Sequence, residues 1–178
     1  LIKENTANKG GGIFTVWSST IFDSITVTQN IANYGGGVYT SLFNSGQQYP
    51  DFKHMLITDN KANDQGGGLY LYESDALLLN LTIYGNSASE GDGIRLDRSD
   101  PTITNTILWN NNSEAISKYA SSPIITYSDV EGGYSGEGNI DADPLFCNDE
   151  ADIYTLMEDS PCVGMGSNGE NIGAYEVE

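Results

Sequence analysis

A short phrase returns along this chain at nearly fixed intervals. It reads Asn5-Thr-Ala-Asn-Lys-Gly-Gly-Gly-Ile-Phe14, then Asn30-Ile-Ala-Asn-Tyr-Gly-Gly-Gly-Val-Tyr39. It recurs from Asn60 as Asn-Lys-Ala-Asn-Asp-Gln-Gly-Gly-Gly-Leu-Tyr, and from Asn86 as Asn-Ser-Ala-Ser-Glu-Gly-Asp-Gly-Ile-Arg. A worn fifth copy starts at Asn110, so the period lies between 24 and 30 residues. Such a period marks a solenoid, in which one repeat buries its apolar side only by stacking on the next.

Each repeat carries the same internal order. An alternating stretch leads to the Asn: Ile25-Thr-Val-Thr, Met55-Leu-Ile-Thr and Leu81-Thr-Ile-Tyr. Period-two alternation predicts a strand with one buried face. Ile25, Met55, Leu81, Val27, Ile57 and Ile83 are expected inside, and Thr26, Leu56 and Thr82 outside. The Asn-x-Ala/Ser corner follows, with Asn suited to left-handed dihedrals and to an amide ladder between coils. The glycine run allows positive φ and close backbone approach, although Asp92 takes the middle place in the fourth copy. A second strand then places Ile13, Val38, Leu69 and Ile94 inward and Phe14, Tyr39, Tyr70 and Arg95 outward. Variable loops end each repeat, the longest running from Leu42 to Pro50 and explaining the longest period. The expected fold is all-β: a right-handed parallel β-helix of about five to six coils, over residues 1–130, with a last coil and C-terminal cap over 131–178. Leucine-rich repeats lack their signature here, and propeller blades are longer. Because Leu1 stands directly before a repeat phrase, the chain is expected to be the C-terminal portion of a longer protein.

The chain has 178 residues, with 25 Asp and Glu against 7 Lys and Arg, a net charge of −18. That balance argues against nucleic acid and anionic membranes, which are bound through Lys and Arg. No apolar run reaches the roughly 18 residues of a transmembrane span. Asp141, Asp143, Asp149 and Asp152, with Asn148 and Glu150 among them, could gather oxygens around a structural calcium, which wants six to eight. No other cofactor is expected. Cys147 and Cys162 are the only cysteines. They are either a disulfide, in an extracellular setting, or two free thiols.

The tail makes a resemblance specific. Ser128-Asp-Val-Glu-Gly-Gly, Gly138-Asn-Ile-Asp-Ala-Asp-Pro-Leu-Phe146, Tyr154-Thr-Leu, Ser160-Pro-Cys162 and Ile172-Gly-Ala-Tyr-Glu176 resemble the C-terminal end of bacterial right-handed parallel β-helix proteins of the pectate-lyase-like superfamily. The glycine phrases also resemble, more loosely, repeats of chlamydial polymorphic outer-membrane proteins. The resemblance implies an extracellular or bacterial cell-surface protein and no single activity, because this fold carries lyases, hydrolases and adhesins alike.

No catalytic residue is assigned. A lyase of this fold would use Lys or Arg as base, and Arg95, Asp97 and Arg98 form the one candidate cluster. His54, the only histidine, is expected on the outward side of a strand. The outward column of Phe14, Tyr39 and Tyr70, with Tyr72 alongside and Arg95 at its end, is the candidate binding surface for a polysaccharide or protein ligand. The expected function is a non-catalytic adhesin, stalk or binding scaffold. The alternatives are a fragment of a polysaccharide lyase or glycoside hydrolase, and a subunit self-associating through its β-helix ends into filaments.

Overall fold

The computed structural model describes residues 1–42, 49–147 and 154–175. The chain winds through about five parallel turns, and three sheets run along the axis. The first holds Ile2–Lys3, Thr26–Thr28, Leu56–Thr58, Thr82–Tyr84, Ile107–Trp109 and Asp129–Val130. The second holds Ile13–Val16, Val38–Ser41, Leu69–Tyr72, Ile94–Asp97 and Ile116–Tyr119. The third, most of whose strands adjoin the variable loops, holds Ile21–Asp23, Asp51–Lys53, Leu77–Leu79, Thr102–Thr104 and Ile124–Thr126. A two-stranded pair, Ile31–Tyr34 with Lys61–Gln65, lies between the first and second sheets.

Register places like on like. Val27, Ile57, Ile83, Leu108 and Val130 form one inward column, and Ile13, Val38, Leu69 and Ile94 another. Phe22 and Phe52 stack with ring centres 5.2 Å apart, in line with Leu78, Ile103 and Ile125. These side chains make one continuous core, as the alternating pattern predicts.

Each corner has the same two parts. One residue adopts a left-handed conformation: Gln29, Asp59 and Asn110 at the first corner, Glu73, Arg98 and Ala120 at the second, His54, Asn80 and Tyr127 at the third. At the first two corners, and in the later coils of the third, the next residue bonds its equivalent one coil away. At the first corner the Oδ1 of Asn30, Asn60, Asn86 and Asn111 each accepts, at 3.0–3.1 Å, the backbone N–H and the side-chain amide of the preceding rung. The fifth rung is therefore Asn111, and Asn110 is its left-handed neighbour. The lead Asn bonds while the residue before it bends, which reverses half of the expected assignment. The other corners build shorter ladders from hydroxyls. Ser74 N–H donates to Ser99 Oγ at 2.9 Å, and Thr106 N–H donates to Ser128 Oγ at 3.1 Å. His54 sits on a corner with φ 48°, not on a strand, and its Nδ1 lies 2.9 Å from Asp23.

The glycine run is required by stacking. A Cβ on Gly11, Gly36 or Gly67 would lie 2.3–2.5 Å from a carbonyl oxygen of the next coil. So the middle position does need bare backbone. Asp92 is the exception: the equivalent contact with the next turn is longer, Gly93 N–H to Glu114 O at 3.3 Å against 3.0 Å for Gly37 to Gly67 and Gly68 to Asp92, and the Asp92 carboxylate accepts from the N–H of Ala88, Ser113 and Glu114 and from the Ser113 hydroxyl, at 2.6–3.0 Å. Burial pushes the Asp92 carboxyl up, and these bonds outweigh that, leaving it below its ordinary value. Its stabilisation is present above the unfolded-state value and fades as pH falls through the lower folded one. Asp92→Ala orphans three amides and is expected to cost about 2–4 kcal/mol at pH 7. A thermal melt unchanged from wild type would refute this.

The C-terminal end of the core is closed by residues 131–140. Tyr134 packs against it, and this segment bonds along the last coil's free edge: Tyr127 N–H to Glu137 O, Asn139 Nδ2 to Ile125 O and Ile140 N–H to Ser128 O. Such a cover removes an open strand edge. The chain then turns back along the outside of the first sheet. Ile107 is joined there by Leu156, Cys162 and Ile172 in a second apolar cluster. Gly173 N–H donates to Asn105 O, Asn80 Nδ2 to Gly173 O, and Ala174 N–H to Thr82 Oγ1. Thr82 and Leu56 are outward, as expected, yet both are buried.

Candidate functional site

Two places gather chemistry: the crease holding the tyrosine column, and the seam between the first sheet and the returning tail.

In the crease, Phe14, Tyr39, Tyr70 and Arg95 are aligned by register as expected. They do not form an exposed platform. Phe14 is 54% exposed, but Tyr39 and Tyr70 are only 3% and 6% exposed. The Ile31–Tyr34 segment lies beside the second sheet, and Tyr34 tilts against Tyr70 with ring centres 6.1 Å apart. Phe14 stacks on Tyr39 at 5.5 Å, and Tyr39 and Tyr72 meet Tyr70 edge-on at 5.2 and 6.5 Å. Lys9 donates to the Tyr39 hydroxyl at 3.3 Å. The Tyr70 hydroxyl donates to Asp97 at 3.3 Å, and burial, then the Asp97 charge, drive its phenol well up.

The cations there are engaged. Arg95 Nη1 is 3.1 Å from Glu90 and donates to Ser117 Oγ at 2.9 Å, while Gln65 holds the same Glu90 oxygen at 2.8 Å. The Arg95 Nε is buried without a hydrogen-bond partner, and so is Asp97 Oδ1, which faces Arg98 only as an ion pair at 3.2 Å. Arg98 donates to Glu73 at 2.9 Å and to the Tyr72 hydroxyl, lies 3.2 Å from Asp97, and covers the Tyr72 ring. Its hydrogen bond to Glu73 holds the guanidinium further up than usual. Arg95, Asp97 and Arg98 are thus brought together as expected, with every charge opposed by another.

Asp141 accepts from Gly132 N–H at 3.1 Å and Asp143 from Leu145 N–H at 3.0 Å. Asp149 and Asp152 lie outside the described residues. Among the described residues no group of three His, Cys, Asp or Glu is placed to hold a metal. The centre of the Leu42–Pro50 loop, residues 43–48, also lies outside them. No helix among the described residues is long and apolar enough to cross a membrane.

In the seam, Cys147 and Cys162 are both free thiols. Cys162 instead donates to Asp129 Oδ2 at 3.3 Å, and Ala142 N–H donates to Oδ1 at 3.2 Å, clipping the tail to the last strand of the first sheet. Burial, then the Asp129 charge, drive the thiol well up, so it stays protonated. Burial pushes the Asp129 carboxyl up to about 6; Ala142 and Cys162 oppose that, and the Asp141 and Asp143 charges add to it. A raised carboxyl stabilises the fold at low pH, and the contribution is lost as pH rises from about 4 through about 6, roughly 2–3 kcal/mol in all. Asp129→Asn is expected to remove this slope. A stability difference between variant and wild type that stays constant from pH 4 to 7 would refute it.

Towards the N-terminal end the seam opens into a groove of about 520 Å³ between the Thr26–Thr28 and Leu56–Thr58 strands and the tail residues Tyr154, Thr155 and Tyr175. Sequence reasoning did not single out this groove. Its visible signals were threonines at outward positions of adjacent strands and the Tyr154-Thr-Leu and Gly-Ala-Tyr175 runs. Nothing in those runs says that the tail returns to the threonines.

Comparison with curated proteins and with solved structures gives no match. The residue pattern of one family, described as the right handed beta helix region, matches residues 1–141. That span covers most of the chain and all the coils described above, so the chain belongs to the right-handed β-helix family.

Proposed function

We propose that this chain is a non-catalytic β-helix scaffold that displays a binding surface for glycan or protein outside a bacterial cell. One observation carries this: the clustered cations among the described residues, Arg95 and Arg98, are each held by carboxylates, Arg95 by Glu90 and Arg98 by Glu73 and Asp97. A lyase base must give up its proton to act. Glu73 and Asp97 hold the Arg98 proton in place, and Glu90 with Ser117 pins Arg95 against its own sheet. The outward residues serve the scaffold through neighbouring-strand contacts.

The test is an absorbance assay for unsaturated products on oligogalacturonate, with and without Ca²⁺, beside a glycan array. No turnover is expected in either condition. Turnover that disappears in Arg95→Ala would replace the scaffold with a lyase.

A further inference from the structure

We propose that the groove between the first sheet and the returning tail binds a neutral oligosaccharide. This rests on the display function above and gives it a place and a ligand class. The groove's volume of about 520 Å³ falls in the roughly 300–1,000 Å³ of small-ligand clefts.

Its chemistry is that of a sugar site. The floor carries hydroxyls on adjacent strands: Thr58 Oγ1 donates to Thr28 Oγ1 at 3.1 Å, and Thr26 Oγ1 lies 3.4 Å from the Tyr175 hydroxyl. A hydroxyl both donates and accepts, so this floor matches the alternating donors and acceptors on a sugar ring's edge. The walls are tyrosines, which offer an apolar ring face and a polar tip. Tyr154 is braced from behind by Tyr84 and Phe146, with ring centres 5.1 and 5.4 Å away. Among the described residues Tyr175 is held by the long 3.4 Å contact to Thr26, and it is 39% exposed, so it can swing onto a ring face. Thr155, in the same lining, has a hydroxyl that is buried with no hydrogen-bond partner. An unsatisfied hydroxyl is costly, and a rotation of the Thr155 side chain towards a bound ligand would satisfy it.

Charge selects the class. Lys3 and Asp59 line the groove with opposite signs, and Lys3 already meets Glu4 at 3.3 Å. A chain of net charge −18 repels polyanions. A neutral glycan is therefore favoured over a uronate polymer. An added peptide strand is disfavoured, because the floor strands are paired on both sides and present side chains rather than a free edge.

The test uses the full chain on an array of neutral and acidic glycans, followed by calorimetry with the best neutral hexasaccharide and with hexagalacturonate. Neutral binding is expected. Tyr175→Ala should weaken it about tenfold or more, Tyr175→Phe by less than about threefold, and Thr28→Trp, which fills the groove, should abolish it, all with melting temperatures near wild type. No neutral glycan on the array, preference for hexagalacturonate, or unchanged affinity in both Tyr175→Ala and Thr28→Trp overturns the groove. A neutral glycan that binds wild type and both variants equally leaves display standing elsewhere on the surface, whereas lyase turnover removes the display reading itself.

Discussion

Gly36→Ala is expected to be among the most damaging single methyls this chain can receive. The new Cβ would lie 2.5 Å from Gly67 O and 2.5 Å from the Lys61 carbonyl carbon, both backbone atoms of the next coil. Backbone held by sheet pairing on both sides cannot step aside without parting the coils. The paired hydrogen bonds at risk include Gly36 N–H to Gly66 O and Gly37 N–H to Gly67 O, at 2.9 and 3.0 Å. Overpacking of this kind costs more than the usual 1–3 kcal/mol of a core side chain, and we expect about 4 kcal/mol or more. Against a typical total of roughly 5–15 kcal/mol, the variant should be largely insoluble or melt more than about 10 °C lower. Gly67→Ala meets Asp92 O at 2.4 Å and should behave alike. A soluble Gly36→Ala chain within about 1 kcal/mol of wild type in urea would show that the coils are not stacked this closely.

Asn60→Ala is expected to cost about 3–5 kcal/mol. The Asn60 side chain lies 1% exposed in the middle of the ladder. It accepts from Asn30 N–H and Nδ2, both at 3.0 Å, and donates to Val27 O at 2.9 Å and Asn86 Oδ1 at 3.1 Å. Alanine removes four buried hydrogen bonds at about 0.5–1.5 kcal/mol each; Asn30 Nδ2 keeps Ile2 O and Thr28 O, and Asn86 Oδ1 keeps the backbone N–H of residue 60, while Asn30 N–H loses its acceptor. Asp does not rescue, because it brings a charge and no donor. Asn5→Ala, at an exposed rung that only donates, should cost less than about 1 kcal/mol. Equal losses at Asn5 and Asn60 would mean that local corner propensity, not the ladder, makes Asn valuable there.

The repeat made the inward columns legible because they depend only on alternation. Val27, Ile57 and Ile83 hold one phase, and the structure stacks them as that phase requires. The ladder was legible too, apart from one step at Asn110. Asn suits both the left-handed position and the bonding position beside it, so two consecutive asparagines could not be told apart by residue type. Most of the third sheet was missed because Asp51-Phe-Lys53 and Thr102-Ile-Thr104 adjoin the variable loops and carry no recurring phrase, whereas the equally short strands Thr26–Thr28, Leu56–Thr58 and Thr82–Tyr84 lead into the Asn corner.

The exposure of Tyr39 and Tyr70 was misjudged for a different reason. Alternation says which face of a sheet a side chain leaves from, and says nothing of what covers that face. The cover over Tyr70 is Tyr34, from a segment whose position is set by the corner geometry. The groove was hidden for the same reason and at longer range. Tyr175 meets Thr26 across 149 residues, and Asn80 meets Gly173 across 93. The tail has no repeat, so no register predicts where it returns.

Where ligand contacts fall on the solenoid is measured most directly by hydrogen exchange, with and without a saturating neutral hexasaccharide. Slowed exchange is predicted at Thr155–Leu156 and at 173–175, with Thr28 and Thr58 following and the Tyr70–Arg98 stretch unchanged. Protection centred on Tyr70, Arg95 and Arg98, with none at Thr155 or Tyr175, would contradict the seam as the binding site and return function to the tyrosine crease.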